Sequence, residues 1–474
     1  MAKWGIVFGS EYTFALASSE GNRSVKFEEF DFSLTPLQVF SKIQEKHENA
    51  YLLESIEGPK KLARFSFIGF DPELTLEIKN GEAVMRNQVT GEEQREKTDN
   101  PLCAVRKIIK DRTVKNREFR FTGGAVGFLS YDAVRYWEKL PEKTQDDLNF
   151  PDAQFGFFDD GIVFEHGQKR AVYYSLNHNR LPEIARLMKK PDNFNTLSYS
   201  QPKVNVSKER FFEAVTEAKR YVANGDIFQV VLSKRYDFHM QGNLIEFYRS
   251  LRGINPSPYM YFLKAGERQI IGASPEMLVR VDNQVVETFP IAGTRPTMKK
   301  PSENRRLARE LLEDPKERAE HVMLVDLARN DLGKISKYGS VRVTEFMKVH
   351  KYSHVQHIVS RVEGQLREEH DCFDALSAVF PAGTVSGAPK VRAMEIIEEL
   401  EQTRRGPYAG AVGYFGYNGN ADFAITIRTL FANKNKAHIQ AGAGIVADSI
   451  PEKEWLETEQ KAAALMKALK TSGE

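Results

Sequence analysis

Short runs of aromatic and β-branched residues, separated by Gly, Asn and Asp turns, fill the N-terminal part of the chain. This pattern is typical of antiparallel strands and does not fit repeated strand–helix–strand units. The stretch Gly123–Gly127 belongs to it, because Phe128-Leu-Ser-Tyr follows and no helical pattern does. We therefore interpret these glycines as close backbone packing within a sheet and exclude a dinucleotide-binding loop.

The length of 474 residues is too great for one ordinary core. The polar stretch 189–204 is the predicted linker, so we expect an N-terminal domain over residues 1–200 and a second, catalytic domain over residues 201–474. A net charge of +2 gives no general reason to bind nucleic acid or a membrane surface, and no segment approaches transmembrane length. Cys103 and Cys372 lack disulfide or nucleophile patterns, so we expect reduced, buried thiols in the cytoplasm.

The second part opens with a helix and an apolar strand. The helix is predicted to start at Ser207 and to stop at Asn224-Gly225, and Asp226–Phe238 is predicted to be a strand. Gln229 is an uncharged polar residue inside that strand. Its amide either pairs with backbone or faces a polar pocket, and the local sequence supports both interpretations equally.

Two Glu-x-x-Glu pairs, Glu317/Glu320 and Glu454/Glu457, follow the helix-start signals Asp314-Pro315 and Ser449-Ile-Pro-Glu. Residues three apart share a helix face, so each pair directs two carboxylates the same way. A single pair of this kind is usually a solvated helix face. Two pairs close to loops rich in small residues favour a site for a hard cation such as Mg²⁺, which is commonly held by one or two carboxylates and an anionic substrate.

Several sequence blocks resemble the chorismate-utilising enzymes, in the order in which that family has them, from about residue 205 to the C-terminus. Within the family, the chain is most similar to the large subunits of anthranilate synthases, and the likeness covers nearly its whole length. The blocks are Gly225–Arg235, Pro290–Arg295, Ala319–Leu332, Pro381–Lys390 and Ala441–Ser449, joined by Leu52–Ser55 and Asn255–Met260.

The resemblance implies the following site. Glu320, Glu457 and Glu454 are expected to bind Mg²⁺, which neutralises the ring carboxylate of chorismate. Catalytic roles are implied for four residues: Glu276, His357, Thr384 and Glu317. Glu276 is expected to be the acid that protonates the departing 4-hydroxyl, and His357 is expected to act in the aromatising step. His354 is interpreted as structural. Substrate-binding positions are implied for nine residues: Gln229, Ala292, Gly293, Thr294, Tyr408, Arg428, Ala443, Gly444 and Lys461. Tyr408 and Thr384 could equally be packing residues, and a lone histidine such as His357 is more often a core residue.

Two positions favour amination at C2 by ammonia, with loss of pyruvate to give anthranilate. By resemblance, isochorismate and salicylate synthases have a lysine base where Gln229 stands. Aminodeoxychorismate synthases often have a nucleophilic lysine where Ala292 stands, and alanine forms no such adduct. The large subunit of aminodeoxychorismate synthase is the alternative, and a catalytically silent homologue is a third interpretation that the intact glutamates disfavour.

The resemblance also implies regulation and a partner. Feedback inhibition by L-tryptophan is expected at a pocket formed by seven residues: Glu54, Ser55, Pro258, Tyr259, Met260, Val412 and Tyr414. Neither cysteine has the setting of a glutaminase nucleophile, so ammonia is expected from a separate glutamine amidotransferase subunit in a hetero-oligomer. The implied fold is α+β, with large antiparallel β-sheets packed as a sandwich and helices outside.

Overall fold

The computed structural model describes residues 24–30, 34–56, 64–116, 118–190, 196–352 and 355–473. The prediction for His354 and part of the predicted linker, residues 191–195, lie outside these ranges. The strands of the described part, in chain order, are β1 (Lys26–Phe30), β2 (Asn49–Glu54), β3 (Phe65–Phe70), β4 (Leu74–Lys79), β5 (Glu82–Asn87), β6 (Glu93–Lys97), β7 (Gly124–Leu129), β8 (Ala153–Phe158), β9 (Asp160–Glu165), β10 (Arg170–Ser175), β11 (Ser198–Tyr199), β12 (Lys203–Val204), β13 (Gln229–Gln241), β14 (Tyr259–Ala265), β15 (Arg268–Ser274), β16 (Met277–Asp282), β17 (Val285–Thr288), β18 (Ile291–Pro296), β19 (Arg342–Lys351), β20 (Val355–Gln365), β21 (Gly387–Ala388), β22 (Ala411–Gly416), β23 (Ala421–Ile425), β24 (Thr429–Asn433) and β25 (Lys436–Ile445).

Most of the helices have a polar cap or a proline in their first turn, as expected for helix starts. In chain order they are α1 (Pro36–Lys46), α2 (Pro101–Lys110), α3 (Leu181–Met188), α4 (Lys208–Ala223), α5 (Ile245–Ile254), α6 (Pro301–Glu313), α7 (Pro315–Gly333), α8 (Cys372–Val379), α9 (Lys390–Leu400) and α10 (Pro451–Gly473), with a 3-10 helix at Tyr131–Tyr136. Within the described ranges, no helix is both long and apolar enough to cross a bilayer.

Two antiparallel sheets face each other. The first has the order β1-β10-β9-β3-β2-β14-β15-β24-β25-β13-β11, with β12 and β21 also paired to β13. The second has the order β18-β20-β17-β16-β23-β22-β7-β8-β4-β5-β6, with β19 paired to β20. Side chains such as Tyr51, Tyr261, Phe128 and Val412, from both sheets, form one buried cluster between them. The predicted α+β sandwich is confirmed.

Helices cover the outer faces. Residues of α1, α3, α5 and α10 pack on the outer face of the first sheet, where Phe40, Ile184, Phe247 and Leu465 share a hydrophobic cluster with its strands. A third cluster joins α4 and α9 to β13 and β25. The apolar stripes of these helices are therefore buried against a sheet, as amphipathic helices require.

The chain joins its own two parts along two strand pairs. The strands β1 to β10 form one continuous portion of each sheet, and the strands from β13 onward form the other. The pairs β2–β14 in the first sheet and β7–β22 in the second connect them. We call these two pairs the seam. The domain boundary predicted at residue 200 stays a prediction.

The local predictions have mixed outcomes. The helix from Ser207 to Asn224-Gly225 is confirmed as α4, with the Ser207 hydroxyl accepting from the Arg210 N–H. The glycine stretch is confirmed as sheet, because a Cβ at Gly124 or Gly127 would lie about 2 Å from a neighbouring carbonyl oxygen. The prediction that Cys103 is buried is wrong. It lies on the solvent face of α2, since the apolar stripe of that helix is formed by its other residues.

Candidate active site

The helices α7 and α10 bring the two glutamate pairs together. Asp314 caps α7 and accepts from the N–H groups of Lys316 and Glu317, as its sequence predicts. Burial is the main cause of the raised pKa of Glu320, and the negative charges of Glu317 and Glu457 raise it further. Burial likewise raises the pKa of Glu454, with Glu457 adding to the shift. The four carboxylates therefore share one electrostatic environment and repel one another.

Two cations partly balance this charge. Lys461 Nζ lies 2.7 Å from Glu457 Oε1 and donates to the carbonyl oxygen of Gly442 at 2.9 Å. Arg295 contacts Glu317 Oε1 at 3.2 Å and also pairs with the cap residue Asp314. Glu320 and Glu454 have no such ion pair among the described residues. Within the same ranges, no three acidic, histidine or cysteine side chains form a ready-made ligand set.

Glu276 is a buried acid between β15 and β16. The Thr384 hydroxyl donates to its Oε1 at 2.9 Å, and the carboxyl group is almost fully enclosed. Burial raises the pKa of Glu276 to about 8, while Thr384 and the charge of Lys461 act in the opposite direction. At neutral pH the group is therefore a neutral acid with a proton to give. With Thr384 donating to Oε1, that proton lies on Oε2.

His357 on β20 is a neutral ring with a defined tautomer. Its Nδ1 lies 2.8 Å from the carbonyl oxygen of Gly293 and 3.2 Å from the Thr294 hydroxyl. A carbonyl oxygen only accepts, so Nδ1 carries the proton and Nε2 is the basic nitrogen. Burial lowers the pKa of His357, and the charge of Arg428 lowers it further. His357 is therefore suited to accept a proton at neutral pH.

Gly293 makes this arrangement possible. Its φ is +64°, in the left-handed region that favours glycine. A Cβ there would lie 2.8 Å from Leu311 Cδ1 and 2.9 Å from Glu317 Oε2. Ala292, the residue before it, is buried and pairs with Ile358, next to His357. The predicted loop therefore brings the histidine and the first glutamate pair close together.

Gln229 and Tyr408 lie over glycines of β25. A Cβ at Gly444 would lie 2.4 Å from Gln229 Nε2, and one at Gly442 would lie 2.7 Å from the Tyr408 hydroxyl. Side chains alternate along a strand, so both glycines open the same face. Ala443 points to the other face, into the cluster beneath α4 and α9, and could offer a substrate only its backbone.

Arg428 lies near the groups described above. It has φ +53° and is partly buried between β23 and β24. Burial lowers the pKa of Arg428, and both Tyr408 and Glu457 raise it. Its guanidinium therefore lies within electrostatic range of Tyr408, Glu457 and His357. Together with Lys461 it supplies the positive charge that a dicarboxylate would need.

The seven residues predicted for tryptophan line one pocket between the sheets, at the seam. Ser55 Oγ and the Tyr414 hydroxyl are buried in it without a hydrogen-bond partner in the described part of the chain. Such orphaned groups suit a polar ligand. The Glu54 carboxylate points away, since it accepts from the Tyr248 hydroxyl at 2.7 Å beneath α5. Glu54 can therefore reach the pocket only through its backbone.

Sequence reasoning gave no role to several polar groups near these sites. Arg280 and Asp422 line the pocket and are joined at 2.7 Å, with the Tyr259 hydroxyl donating to Asp422. The sequence did contain a signal for Arg280 and Asp422, because each is a charged residue inside an apolar strand. Arg295 belongs to the block Pro290–Arg295, but the sequence predicted no role for it.

Comparisons with known proteins identify a family and several named relatives. The family model described as chorismate binding enzyme matches residues 48–467. Anthranilate synthase component 1 of Methanothermobacter marburgensis is 50% identical over 93% of this chain and 94% of its own length. Aminodeoxychorismate synthase component 1 of Bacillus subtilis is 44% identical over 92% of this chain and 95% of its own.

Solved structures add two likenesses. Anthranilate synthase component I of Streptococcus pneumoniae has a TM-score of 0.76 and 38% identity, over 86% of this chain and 93% of the other. The menaquinone-specific isochorismate synthase of Escherichia coli has a TM-score of 0.70 over 94% of this chain and 95% of the other, and at 18% identity it supports the fold alone. The match to the family model and the high identity to the curated relatives together lead to one conclusion: the chain belongs to the family of chorismate-binding enzymes.

Proposed function

We propose that this chain is the chorismate-converting subunit of an anthranilate synthase. The observation that carries the proposal is the convergence of a neutral buried acid, Glu276, and a neutral histidine, His357, on the cations Arg428 and Lys461. The relatives named anthranilate synthase component 1 support it. Conversion of chorismate to anthranilate is the first step committed to tryptophan.

The donor chemistry of α7 and α10 fits Mg²⁺. Mg²⁺ usually takes one or two carboxylates and completes its shell with water and substrate oxygens, so a ready-made cage is not required. Glu320 and Glu457 would hold the ion, with Glu454 and Glu317 beside them. The raised pKa of Glu320 supports this, because a bound cation would offset the repulsion among these carboxylates. When bound, Mg²⁺ would neutralise the ring carboxylate of chorismate and draw electron density from the ring.

Amination uses the acid. Ammonia forms a bond to C2 of chorismate, the ring double bonds shift, and the bond from C4 to its hydroxyl breaks. Glu276 Oε2 delivers a proton to the departing hydroxyl, which leaves as water, and the new ammonium group loses a proton. Arg428, Tyr408, Lys461 and the backbone of Gly444 would hold the carboxylates of the substrate during this step.

Aromatisation uses the base. His357 Nε2 takes the proton from C2, the C3–oxygen bond breaks, and the enolpyruvyl group leaves as pyruvate after gaining a proton. His357→Ala should therefore retain amination and accumulate aminodeoxyisochorismate. Analysis of the products by chromatography tests this, and anthranilate formed at the normal rate would leave His357 with a packing role only.

The second candidate is aminodeoxychorismate synthesis, which the relative from Bacillus subtilis favours. Ala292 argues against it, because a methyl group cannot form a covalent adduct with the ring. Gln229 also fits direct attack by ammonia, since ammonia needs no deprotonation before it attacks. The two candidates differ in product, and only anthranilate is released with pyruvate.

Ammonia is expected from a separate glutamine amidotransferase subunit. The name component 1 in the relatives supports a second component. Cys103 is exposed on α2 and Cys372 is buried, where burial raises its pKa strongly. Neither is therefore an activated thiolate. Both are free thiols, which supports a reducing compartment such as the cytoplasm.

L-tryptophan is proposed as the inhibitor at the pocket on the seam. The pocket combines aromatic and aliphatic walls with the unpartnered hydroxyls of Ser55 and Tyr414. An amphipathic ring with one N–H donor suits such a lining. Binding at the junction of the two parts of the chain would bias the arrangement of the active site.

One experiment tests the whole proposal. The purified chain is incubated with chorismate and Mg²⁺, and anthranilate is followed by its fluorescence. Ammonium at raised pH should support the reaction, and glutamine should not. No anthranilate with any nitrogen source would overturn the proposed function, and turnover with glutamine in a preparation free of a second polypeptide would overturn the division of labour.

A further inference from the structure

Lys234 is a fully buried lysine that the proposed reaction does not use. It lies on β13 with a side-chain exposure of 0%. Its Nζ has no hydrogen-bond partner among the described residues. Burying an ammonium group is costly, and a methionine would fill a similar volume at lower cost. The charge at this position therefore calls for an explanation other than packing.

The ammonium group contacts α10. Its Nζ lies 3.1 Å from the centre of the Trp455 ring and 3.6 Å from Glu459 Oε1, which is an ion pair longer than a hydrogen bond. The Trp455 indole N–H donates to the same Glu459 oxygen at 2.7 Å. Phe211 of α4 packs edge-on against the Trp455 ring. We call Lys234, Trp455 and Glu459 the Lys234 cluster.

The cluster lies on the opposite side of the sheet from the substrate site. Side chains alternate along β13, and Gln229 faces Gly444 on the active-site side. Lys234 is an odd number of residues further on and faces α10. Lys234 therefore acts on α10 and does not touch the substrate.

The rotation of α10 determines where its carboxylates point. Successive residues turn by about 100°, so Trp455 and Glu459 share one stripe while Glu454, Glu457 and Lys461 share another. With a helix radius of about 5–6 Å, a rotation of about 20° moves a side chain by about 2 Å. That displacement equals a whole Mg²⁺–oxygen bond of about 2 Å.

We propose that Lys234 is a positioning residue of the active site: its buried ammonium group fixes the rotation of α10 and thereby holds Glu454, Glu457 and Lys461 opposite Glu320. This inference rests on the proposed function. The attraction of a cation to an indole face is directional, since it requires the ring to stay beneath the charge. An apolar side chain at position 234 would fill the same space but would not hold the Trp455 ring in one position.

The charges around Lys234 give the sign of its effect on stability. Burial lowers the pKa of Lys234 to about 8; the charge of Glu459 raises it and that of Lys208 lowers it. The unfolded chain therefore binds more protons at this residue between about pH 8 and the ordinary lysine pKa, and stability rises with pH across that range. At neutral pH the buried charge opposes folding. Removing it should leave the fold equally or more stable.

The test uses Lys234→Met, with Lys453→Met on the exposed side of α10 as the matched control. Binding of Mg²⁺ is measured as the shift in the thermal unfolding midpoint across a Mg²⁺ titration, and the Mg²⁺ dependence of the rate is measured separately. We expect Lys234→Met to unfold at the same or a higher temperature and to need about 10- to 100-fold more Mg²⁺ in both measurements. Lys453→Met should match the unmodified chain.

A purely structural role predicts that stability and Mg²⁺ affinity fall together. Unchanged Mg²⁺ half-saturation in Lys234→Met, or an equal loss in Lys453→Met, would overturn the inference. Glu459→Gln, at a half-exposed position, should cause a smaller shift in the same direction and serves if Lys234→Met does not fold. If the unmodified chain itself shows no Mg²⁺ response and forms no anthranilate, the proposed function fails instead.

Discussion

At the scale of single residues, we expect Glu276, as the proposed acid, to determine the pH dependence of the first chemical step. With a pKa of about 8, Glu276 is in its acid form at neutral pH and loses its proton as the pH rises above 8. Measured at constant free ammonia, the rate should fall on the alkaline side with this midpoint. Thr384→Val should move the midpoint higher, because the Thr384 hydroxyl stabilises the carboxylate. Thr384→Ser keeps the hydroxyl and should leave it unchanged. A midpoint insensitive to both changes would assign the pH dependence to another group.

The same raised pKa costs stability. Unfolded Glu276 is ionised at neutral pH and the folded group is not, so the folded state binds more protons and loses stability as the pH rises from about 4.5 to 8. The loss at pH 7 is about 3 kcal/mol. The acid is therefore held in its reactive form by packing that also weakens the fold.

Glu320 and Glu457 should be required for turnover and dispensable for folding. Glu320→Gln or Glu457→Gln should lower kcat/KM by about 100-fold or more, which corresponds to about 3 kcal/mol of lost transition-state stabilisation. The unfolding temperature of Glu320→Gln should stay level or rise, because the change removes repulsion among carboxylates. That of Glu457→Gln should change little, because this variant loses both that repulsion and the ion pair with Lys461. Glu452→Gln, on the exposed first turn of α10, is the matched control. Normal Mg²⁺-dependent activity in either variant would contradict the assignment.

At the scale of elements, the sequence predicted where helices and strands begin, because these positions depend on residues that are neighbours in the chain. The cap Asp314 with Pro315 predicted the start of α7, and the apolar run after Asp226 predicted β13, which begins at Gln229. Side-chain direction was harder to predict. Ala443 faces the core and the Glu54 carboxylate faces α5, because the parity of each strand is fixed by its partners across the sheet. The resemblance implied roles for both positions but could not say which atoms they present.

The strands β2, β14 and β22 form the pocket proposed for tryptophan, and a bulky side chain there should block it. Ser55→Phe should raise the tryptophan concentration for half-inhibition by at least about tenfold, or about 1.4 kcal/mol of binding. Activity without tryptophan should be unchanged, because the pocket is separate from Glu276 and His357. Initial rates across a tryptophan titration test this. An unmodified chain indifferent to saturating tryptophan would contradict the regulatory role of the pocket.

At the scale of the whole molecule, strand order is the feature that local patterns could not predict. The pairing of β2 with β14 joins residues about 200 positions apart, and nothing in either strand specifies that partner. The resemblance implied the sandwich, whereas the strand order is seen only in the structure. The seam follows from that order alone, and it was absent from the prediction of two domains.

The seam predicts how fragments of the chain behave. Residues 1–200 and 201–474 produced separately would each expose the unpaired edges of two sheets along β2 and β7 or along β14 and β22. Exposed edges of this kind promote aggregation. We expect each fragment alone to be insoluble or to lack a cooperative unfolding transition, and co-expression to restore a soluble complex. A single fragment that unfolds cooperatively on its own would show that the sheets do not depend on the seam.

The pocket proposed for tryptophan lies on the seam, so a ligand bound there would also affect how long the protein survives in a cell. A ligand bound there at 100 times its dissociation constant adds about 2.7 kcal/mol to the free energy of unfolding. Proteases that cut transiently opened chains would then find about a hundredfold fewer of them. If tryptophan binds there as proposed, a cell rich in tryptophan would inhibit this protein and protect it from degradation at the same time. The preserved protein would regain activity when the tryptophan concentration falls, without new synthesis.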